Sequence, residues 1–148
     1  MITLDQNAVR LLIEFMEEQI PFNKHLGLKC TALEEGKARL EIPFQEFLIG
    51  DPFRPALHGG VISTLADTCG GAAVFSLFDN VNDRTSTVDL RVDYLRPGLR
   101  ETLIAEAEVI RAGNKVAVVD VVVFHPDRKG EPVATAKAVY NLKRASEG

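Results

Sequence analysis

Two periodicities alternate along this chain, one typical of helices and the other typical of β-strands. Apolar residues recur every three or four positions between Val9 and Met16, which predicts an amphipathic helix over roughly residues 5–20 that ends at Pro21. A second helix is predicted over residues 59–78, where Asp67 is the only charged residue. Because this run is rich in small residues and has a carboxylate at its centre, it indicates a helix buried in a folded protein and not a membrane span.

Strict alternation of apolar and polar residues predicts strands on both sides of the second helix. In the clearest of them, the apolar residues between Val88 and Tyr94 are expected on one face, with Thr87 and the charged residues on the other. The six predicted strands cover residues 26–33, 37–43, 87–94, 103–109, 116–124 and 133–142. Strands joined by short turns are antiparallel, so the predicted class is α+β, with one antiparallel sheet wrapped around one apolar helix.

The strand at residues 116–124 is nearly continuous Val and Ala, and Asp120 is its only charged residue. Strands of this composition are usually covered on both faces. One face is therefore expected to pack against another subunit.

The composition predicts a single domain over residues 1–148, with 46% hydrophobic residues to form its core. A net charge of -4 excludes a general nucleic-acid binder, which needs a basic surface. Cys30 and Cys69 are too few for a disulfide framework, lack the spacing of metal ligands and are interpreted as packing residues. No secretory signal is visible at the N-terminus, so a cytoplasmic location without membrane association is expected.

The start of the second helix is the first candidate site. His58, Gly59 and Gly60 precede its first turn, where backbone N–H groups are free and the helix dipole is positive. Paired glycines leave these N–H groups uncovered and let a ligand approach closely. The segment could hold the oxygen of a polarised carbonyl, or it could be only a tight turn into the helix.

Asp67 lies in the middle of the same helix, where an unpaired carboxylate is costly. A hydrogen bond from Ser63, one turn earlier, or from a strand backbone would make it a structural residue. A carboxylate in a cleft is also a candidate base or nucleophile. With the glycine pair upstream, catalysis is the favoured interpretation.

The spacing of these two features predicts a site shared between subunits. Gly59 and Asp67 are eight residues apart, which corresponds to about 12 Å of rise and about 80° of rotation in a helix. The two groups of one chain are therefore not expected to contact the same carbonyl. If both act on one ester or thioester, the site combines Gly59 of one subunit with Asp67 of another.

Three motifs occur in order along the chain: Leu57-His-Gly-Gly60, Asp67 in the helix, and Thr87-Val-Asp-Leu-Arg-Val-Asp-Tyr-Leu-Arg-Pro97. In this order they resemble the hotdog-fold acyl-CoA thioesterases, most closely the phenylacetate-pathway (PaaI-like) type, and the resemblance covers residues 22–142. It implies a homodimer in which two sheets join edge to edge, often paired again as a homotetramer. It also implies hydrolysis of an acyl-CoA at the subunit interface. No cofactor or metal is expected, because the coenzyme A is part of the substrate.

The resemblance also implies roles for individual residues. Asp67 is the general base or nucleophile, and the Gly59 amide is a donor of the oxyanion hole. His58 lines the site, and Thr87 helps to position the attacking water. The family usually has an Asn or Gln six or seven residues before the His, whereas this chain has Asp51 in that region, so that polar contact is altered or absent.

Substrate-binding residues are expected beside these groups. Coenzyme A needs cations for its phosphates, although any single cation could also be an ordinary solvated charge. Small residues at 70–72 of the helix indicate room for the acyl group. The candidate substrate-binding residues are Gly60, Ser63, Thr68, Arg91, Arg96 and Lys115.

Two other functions are weighed against hydrolysis. An acyl-thioester dehydratase or hydratase of the same fold needs a catalytic His on the turn before the helix and an acid on the helix, whereas His58 adjoins the helix directly. A non-catalytic acyl-CoA-binding module would use the same cleft but would have no need of Asp67.

Overall fold

The computed structural model describes residues 5–145. The α-helices are α1 (Gln6–Glu14), α2 (Pro21–Leu26) and α3 (Gly59–Phe75). The strands are β1 (Lys29–Glu34), β2 (Lys37–Ile42), β3 (Ile49–Asp51), β4 (Ala56–Leu57), β5 (Arg84–Tyr94), β6 (Leu103–Ala112), β7 (Val116–Phe124) and β8 (Ala134–Lys143). Within residues 5–145, no helix is long and apolar enough to span a bilayer.

Six strands form one antiparallel sheet in the order β1-β2-β6-β7-β8-β5, and α3 packs against one face of it. The core lies between them, where Leu65 and Cys69 of α3 and Leu40 and Val119 of the sheet are fully buried. The predicted α+β arrangement, a sheet wrapped around one apolar helix, is confirmed. β3 and β4 form a separate two-stranded ribbon, which the sequence analysis did not predict.

The N-terminal region departs from the single helix predicted for residues 5–20. α1 is followed by a π-helical turn, Phe15–Gln19, and Pro21 begins the short helix α2. Proline is well tolerated at the first position of a helix because no intrahelical partner is needed there for the missing N–H. The predicted strand at residues 26–33 therefore starts later, at Lys29.

The central helix ends at Phe75, earlier than the end at residue 78 that the sequence predicts. The next residue, Ser76, donates a hydrogen bond from its hydroxyl to the Ala73 carbonyl at 2.6 Å and accepts one from the Gly36 N–H at 2.7 Å. This residue ties the end of α3 to the turn between β1 and β2.

Among the strands of residues 5–145, β5 is an edge strand that pairs only with β8, and it contains a β-bulge at Val88. Thr87 lies opposite Tyr140, and Asp89 lies opposite the residue just before Tyr140, so Val88 has no partner. Because a bulge inserts one extra residue, it shifts the alternation of faces by one. Thr87 therefore lies on the helix-facing side together with Leu90, and its predicted placement on the opposite face is wrong.

The two faces of β7 differ in burial. Ala117, Val119, Val121 and Val123 face the core and are buried, whereas Val118, Asp120 and Val122 on the alternate face are half-buried. Cover on both faces is thus not supplied within residues 5–145, and the predicted subunit contact on this face stays a prediction.

Candidate active site

Asp67 is half-buried on the side of α3 that faces β5 and β8. The Thr87 hydroxyl donates a hydrogen bond to Asp67 Oδ1 at 2.7 Å. The Tyr140 hydroxyl donates to the Asp67 backbone carbonyl at 2.6 Å and lies 3.3 Å from Oδ1. No group within residues 5–145 donates a hydrogen bond to Oδ2, so this oxygen is available to a reactant.

Ser63 does not satisfy Asp67, which removes one structural explanation for the carboxylate. Its hydroxyl is hydrogen-bonded to the Tyr94 hydroxyl, which also donates to the Gly59 carbonyl at 3.3 Å. The hydrogen bonds of Ser63 and Tyr94 therefore lie at the start of α3, one to two turns away from the carboxylate.

Tyr140 is a site residue that the sequence analysis missed. Burial and the neighbouring charge of Asp67 raise the pKa of its phenol, so the hydroxyl remains a hydrogen-bond donor at neutral pH. A Cβ at Gly70 would lie 2.3 Å from the phenol oxygen, which shows that this glycine makes room for Tyr140 and not for a substrate. The strand pattern held one signal, since alternation places Tyr140 on the same face as the buried Ala136 and Ala138.

The start of α3 offers one open amide. His58 Nδ1 accepts a hydrogen bond from the Gly60 N–H at 2.8 Å, so the Gly60 amide is already used. The Gly59 N–H has no acceptor within the described residues. A Cβ at Gly50 would lie 2.6 Å from His58 Cα, so close packing of the β3–β4 ribbon holds this turn in place.

Asp51, the residue in the region of the family's Asn or Gln, is engaged in its own turn. Its Oδ1 accepts hydrogen bonds from the backbone N–H groups of Phe53 at 3.0 Å and Arg54 at 3.2 Å. These N–H groups, that of Arg54 foremost, hold the pKa of Asp51 below its usual range. The carboxylate therefore stays ionised and closes the loop between β3 and β4.

A cavity of about 170 Å³ opens beside Asp67. Thr68 and Gly71 of α3 line it, as does Thr87, whereas Met16 and Ile20 line it from the N-terminal region. Its surface is mostly apolar, which suits the hydrocarbon part of a ligand. Thr68 is thus placed where the sequence analysis expected a substrate contact.

The opposite face of the sheet carries a wider hollow of about 740 Å³, which contains none of the candidate site residues. Ion pairs cross it, including Arg39 with Glu106 at 3.1 Å and Lys137 with Asp120 at 2.6 Å. These charges neutralise each other across neighbouring strands, so the face shows no arrangement for chemistry.

The three candidate cations are exposed and lie apart from one another. Arg91 is on the outer face of the sheet and pairs with Asp93 at 3.2 Å. Arg96 lies two residues beyond Tyr94, and Lys115 is in the turn between β6 and β7. Within one chain, these three cations therefore do not lie together around Asp67.

The geometry defines a class of protein. A six-stranded antiparallel sheet curls around a helix whose central carboxylate faces an apolar cavity, as expected of a hotdog-fold thioesterase. The model of the thioesterase superfamily matches residues 55–131, just over half of the chain. The chain belongs to the thioesterase superfamily, and the predicted fold and family are confirmed.

Relatives cover almost the whole chain. The medium/long-chain acyl-CoA thioesterase YigI of Salmonella typhimurium is 34% identical over 147 residues, which span 91% of this chain and 94% of that protein. YigI of Escherichia coli is 33% identical and also covers 91% of this chain and 94% of its own length.

Solved structures are similar to this chain over a comparable extent. A thioesterase family protein from Silicibacter pomeroyi has a TM-score of 0.81 at 26% identity and covers 92% of this chain and 98% of its own. The Escherichia coli PaaI protein has a TM-score of 0.78 at 24% identity over 89% of this chain and 91% of its own, and supports the fold.

Proposed function

We propose that this chain hydrolyses acyl-CoA thioesters to a free acid and coenzyme A, with Asp67 as the reacting carboxylate. The observation that carries the proposal is the position of Asp67, held through Oδ1 by Thr87 with Oδ2 open beside an apolar cavity. Membership of the thioesterase superfamily and similarity to proteins named acyl-CoA thioesterases support the reaction and the substrate class.

Thr87 fixes the orientation of the carboxylate, so that Oδ2 faces the thioester. Oδ2 either removes a proton from a water that attacks the carbonyl carbon, or attacks that carbon itself to form an anhydride that water then hydrolyses. In both routes the carbon–sulfur bond breaks and coenzyme A leaves as a thiol after gaining a proton. In the first route the oxygen of the water ends in the acid, and in the second it does so when the water attacks the acyl carbonyl of the anhydride.

The oxyanion donor is the Gly59 amide of a second copy of the chain. α3 is continuous from Gly59 to Phe75, so about 12 Å of helix separates this amide from Asp67 of the same chain. Thr87 contacts Asp67 and Tyr94 contacts Gly59. Antiparallel pairing of two β5 strands with Thr87 opposite the partner's Tyr94 therefore brings each carboxylate towards the other copy's amide.

The free edge of β5 supports this homodimer. The strand is 11 residues long and, in the part of the chain that the structure describes, pairs on one side only; a long unpaired edge favours pairing with another strand. Val88 and Tyr94 on this strand are 61% and 54% exposed. A further pairing into a tetramer would cover the half-buried outer face of β7.

Arg96 and Lys115 are the cations that we propose for the coenzyme A phosphates. Both are exposed, and neither makes an ion pair within residues 5–145. Arg96 lies next to the end of β5 that would join the shared site, whereas Arg91 would act only from the outer face. We assign the activity to the cytoplasm, and the unpaired state of Cys30 and Cys69 supports a reducing compartment.

Steady-state hydrolysis of a panel of acyl-CoAs, followed by a thiol-reactive dye, tests the function. We expect release of coenzyme A that depends on Asp67. Tight binding without turnover on any chain length would instead indicate a binding module. Hydration of an enoyl-CoA without thiol release would indicate a hydratase, although His58 Nδ1 already accepts the Gly60 N–H.

A further inference from the structure

The cavity beside Asp67 is bordered on one side by a part of the chain that belongs to neither α3 nor the sheet. Met16 and Ile20, on the segment between α1 and α2, form one wall, and Gly71 of α3 forms another. The reacting carboxylate and the N-terminal segment therefore border the same apolar space.

An irregular turn builds this wall. The π-helical turn at Phe15–Gln19 replaces the usual bonding pattern, which leaves backbone carbonyls to be satisfied in other ways. The Met16 carbonyl accepts a hydrogen bond from Asn23 Nδ2 at 3.1 Å, and Asn23 is only 4% exposed. Glu17 Oε2 accepts the Cys30 N–H at 2.8 Å, which fastens the turn to β1. Met16 is thereby held pointing inward, and Ile20 follows in an extended conformation.

We infer that Met16 and Ile20 form the end wall of the acyl pocket and set the length of acyl group that the enzyme prefers. This inference rests on the proposed thioesterase function. The pocket of about 170 Å³ is open to solvent and also lined by Asp67 and Thr87, so its end wall limits how far an acyl chain extends from the carboxylate.

Opposite substitutions at Ile20 test the wall. Ile20 is half-buried and lies between two helices, so it tolerates a change of size better than a core residue. In the wild type, kcat/KM should rise about fourfold with each added methylene until the cavity is filled, and then level off or fall. Ile20→Ala should move this optimum to longer straight-chain acyl-CoAs, and Ile20→Phe should move it to shorter ones.

Gly71→Ala tests the same cavity from α3, without touching the N-terminal segment. A Cβ at Gly71 meets only Tyr140 Cε1, at an ordinary 3.7 Å, so the variant should fold and shift the optimum towards shorter chains. Leu11→Ala is the matched control, because Leu11 is on α1, is 60% exposed and does not line the cavity. It should leave the chain-length profile unchanged.

Affinities for non-hydrolysable S-alkyl-CoA thioethers of the same lengths give a second readout that does not depend on turnover. Unchanged length profiles in both Ile20 variants and in Gly71→Ala would overturn the inference, even if the wild type hydrolyses acyl-CoAs. Absence of hydrolysis by the wild type, with a thioether length limit that still moves with Ile20, would overturn the proposed function and leave the end wall standing.

Discussion

The middle and the start of α3 differ in how much of the active site one chain completes. In the middle, Thr87 and Tyr140 from two strands hold Asp67 on one side and leave Oδ2 open. At the start, the Gly60 amide is capped by His58, but the Gly59 amide has no acceptor within residues 5–145. One chain thus holds its own carboxylate in place but leaves the Gly59 amide, the proposed oxyanion donor, without an acceptor, and the continuous helix between them keeps the two groups apart.

The largest effect is expected from Asp67→Asn. The amide keeps the shape of the side chain and can still accept from Thr87, so the fold should persist while kcat falls about 10²–10⁴-fold. KM should change less, because other groups hold the acyl-CoA. Asp120→Asn is the matched control, since this half-buried acid lies on the outer face, away from the cavity, and forms an ion pair with Lys137. Near-normal turnover of Asp67→Asn would contradict the proposed mechanism.

Gly59→Pro tests the other half of the site. It removes the open N–H at a helix position that tolerates proline, and kcat should fall about 10²–10³-fold. Gly59→Ala is the control that keeps the N–H, with its Cβ 3.4 Å from Tyr94 Cε1.

Mixing Gly59→Pro chains with Asp67→Asn chains sharpens the contrast between the two halves. Each mixed dimer holds one intact pair, Asp67 of one chain and Gly59 of the other, so part of the activity should return once subunits exchange. Recovery is measured as the specific activity of the mixture against that of each parent. No recovery, with exchange demonstrated by labelled chains, would place both groups in one chain.

A smaller effect is expected where Gly70 makes room for Tyr140. Gly70→Ala forces the phenol away from Asp67, because its Cβ would lie 2.3 Å from the Tyr140 oxygen. Overpacking of this kind costs about 1–3 kcal/mol in stability, measured as the denaturant midpoint, and we expect kcat to fall about tenfold with loss of the hydrogen bond.

The cost of Gly70→Ala should be smaller in a Tyr140→Phe background, since the clashing oxygen is absent there. Gly71→Ala provides the neighbouring control and should leave stability nearly unchanged. Equal costs in both backgrounds would show that Gly70 is required for another reason.

The smallest effect is expected when the native protein is treated with a thiol reagent that labels cysteines. Burial, with the charge of Glu17, raises the pKa of the Cys30 thiol to about 11, and burial raises the pKa of Cys69 as well. Only about one Cys30 in a thousand is then ionised at pH 8, so a thiol reagent should label neither residue in the native protein. Denaturation should expose both. Rapid labelling in the native state would contradict the buried placement.

Local patterns were sufficient to predict much of the fold. The apolar run before and after Asp67 predicts a buried helix, because a helix satisfies its backbone hydrogen bonds within the segment itself and one that is apolar all round is buried. The alternation in the later strands predicts the antiparallel sheet. The spacing of Gly59 and Asp67 along a helix is likewise a property of local geometry, and α3 is continuous between them.

Other features depend on contacts between distant parts of the chain. Tyr140 reaches Asp67 across 73 positions of sequence, and no local pattern pairs them. The bulge at Val88 arises from the pairing of β5 with β8 and turns Thr87 towards the carboxylate, whereas simple alternation places it on the other face. The π-helical turn brings Met16 against the same cavity.

The sequence by itself therefore determined the fold class, the central helix and the six strands of the large sheet, and it made Asp67 the candidate carboxylate, since these follow from periodicity and from the cost of burying a charge. The tertiary structure alone decided which side of the carboxylate is held, which side is open and what borders the cavity beside it. The physical reason is that a one-residue shift in strand register reverses the direction of a side chain, and one extra residue in a helical turn rotates it by about 100°, with almost no change in local preference.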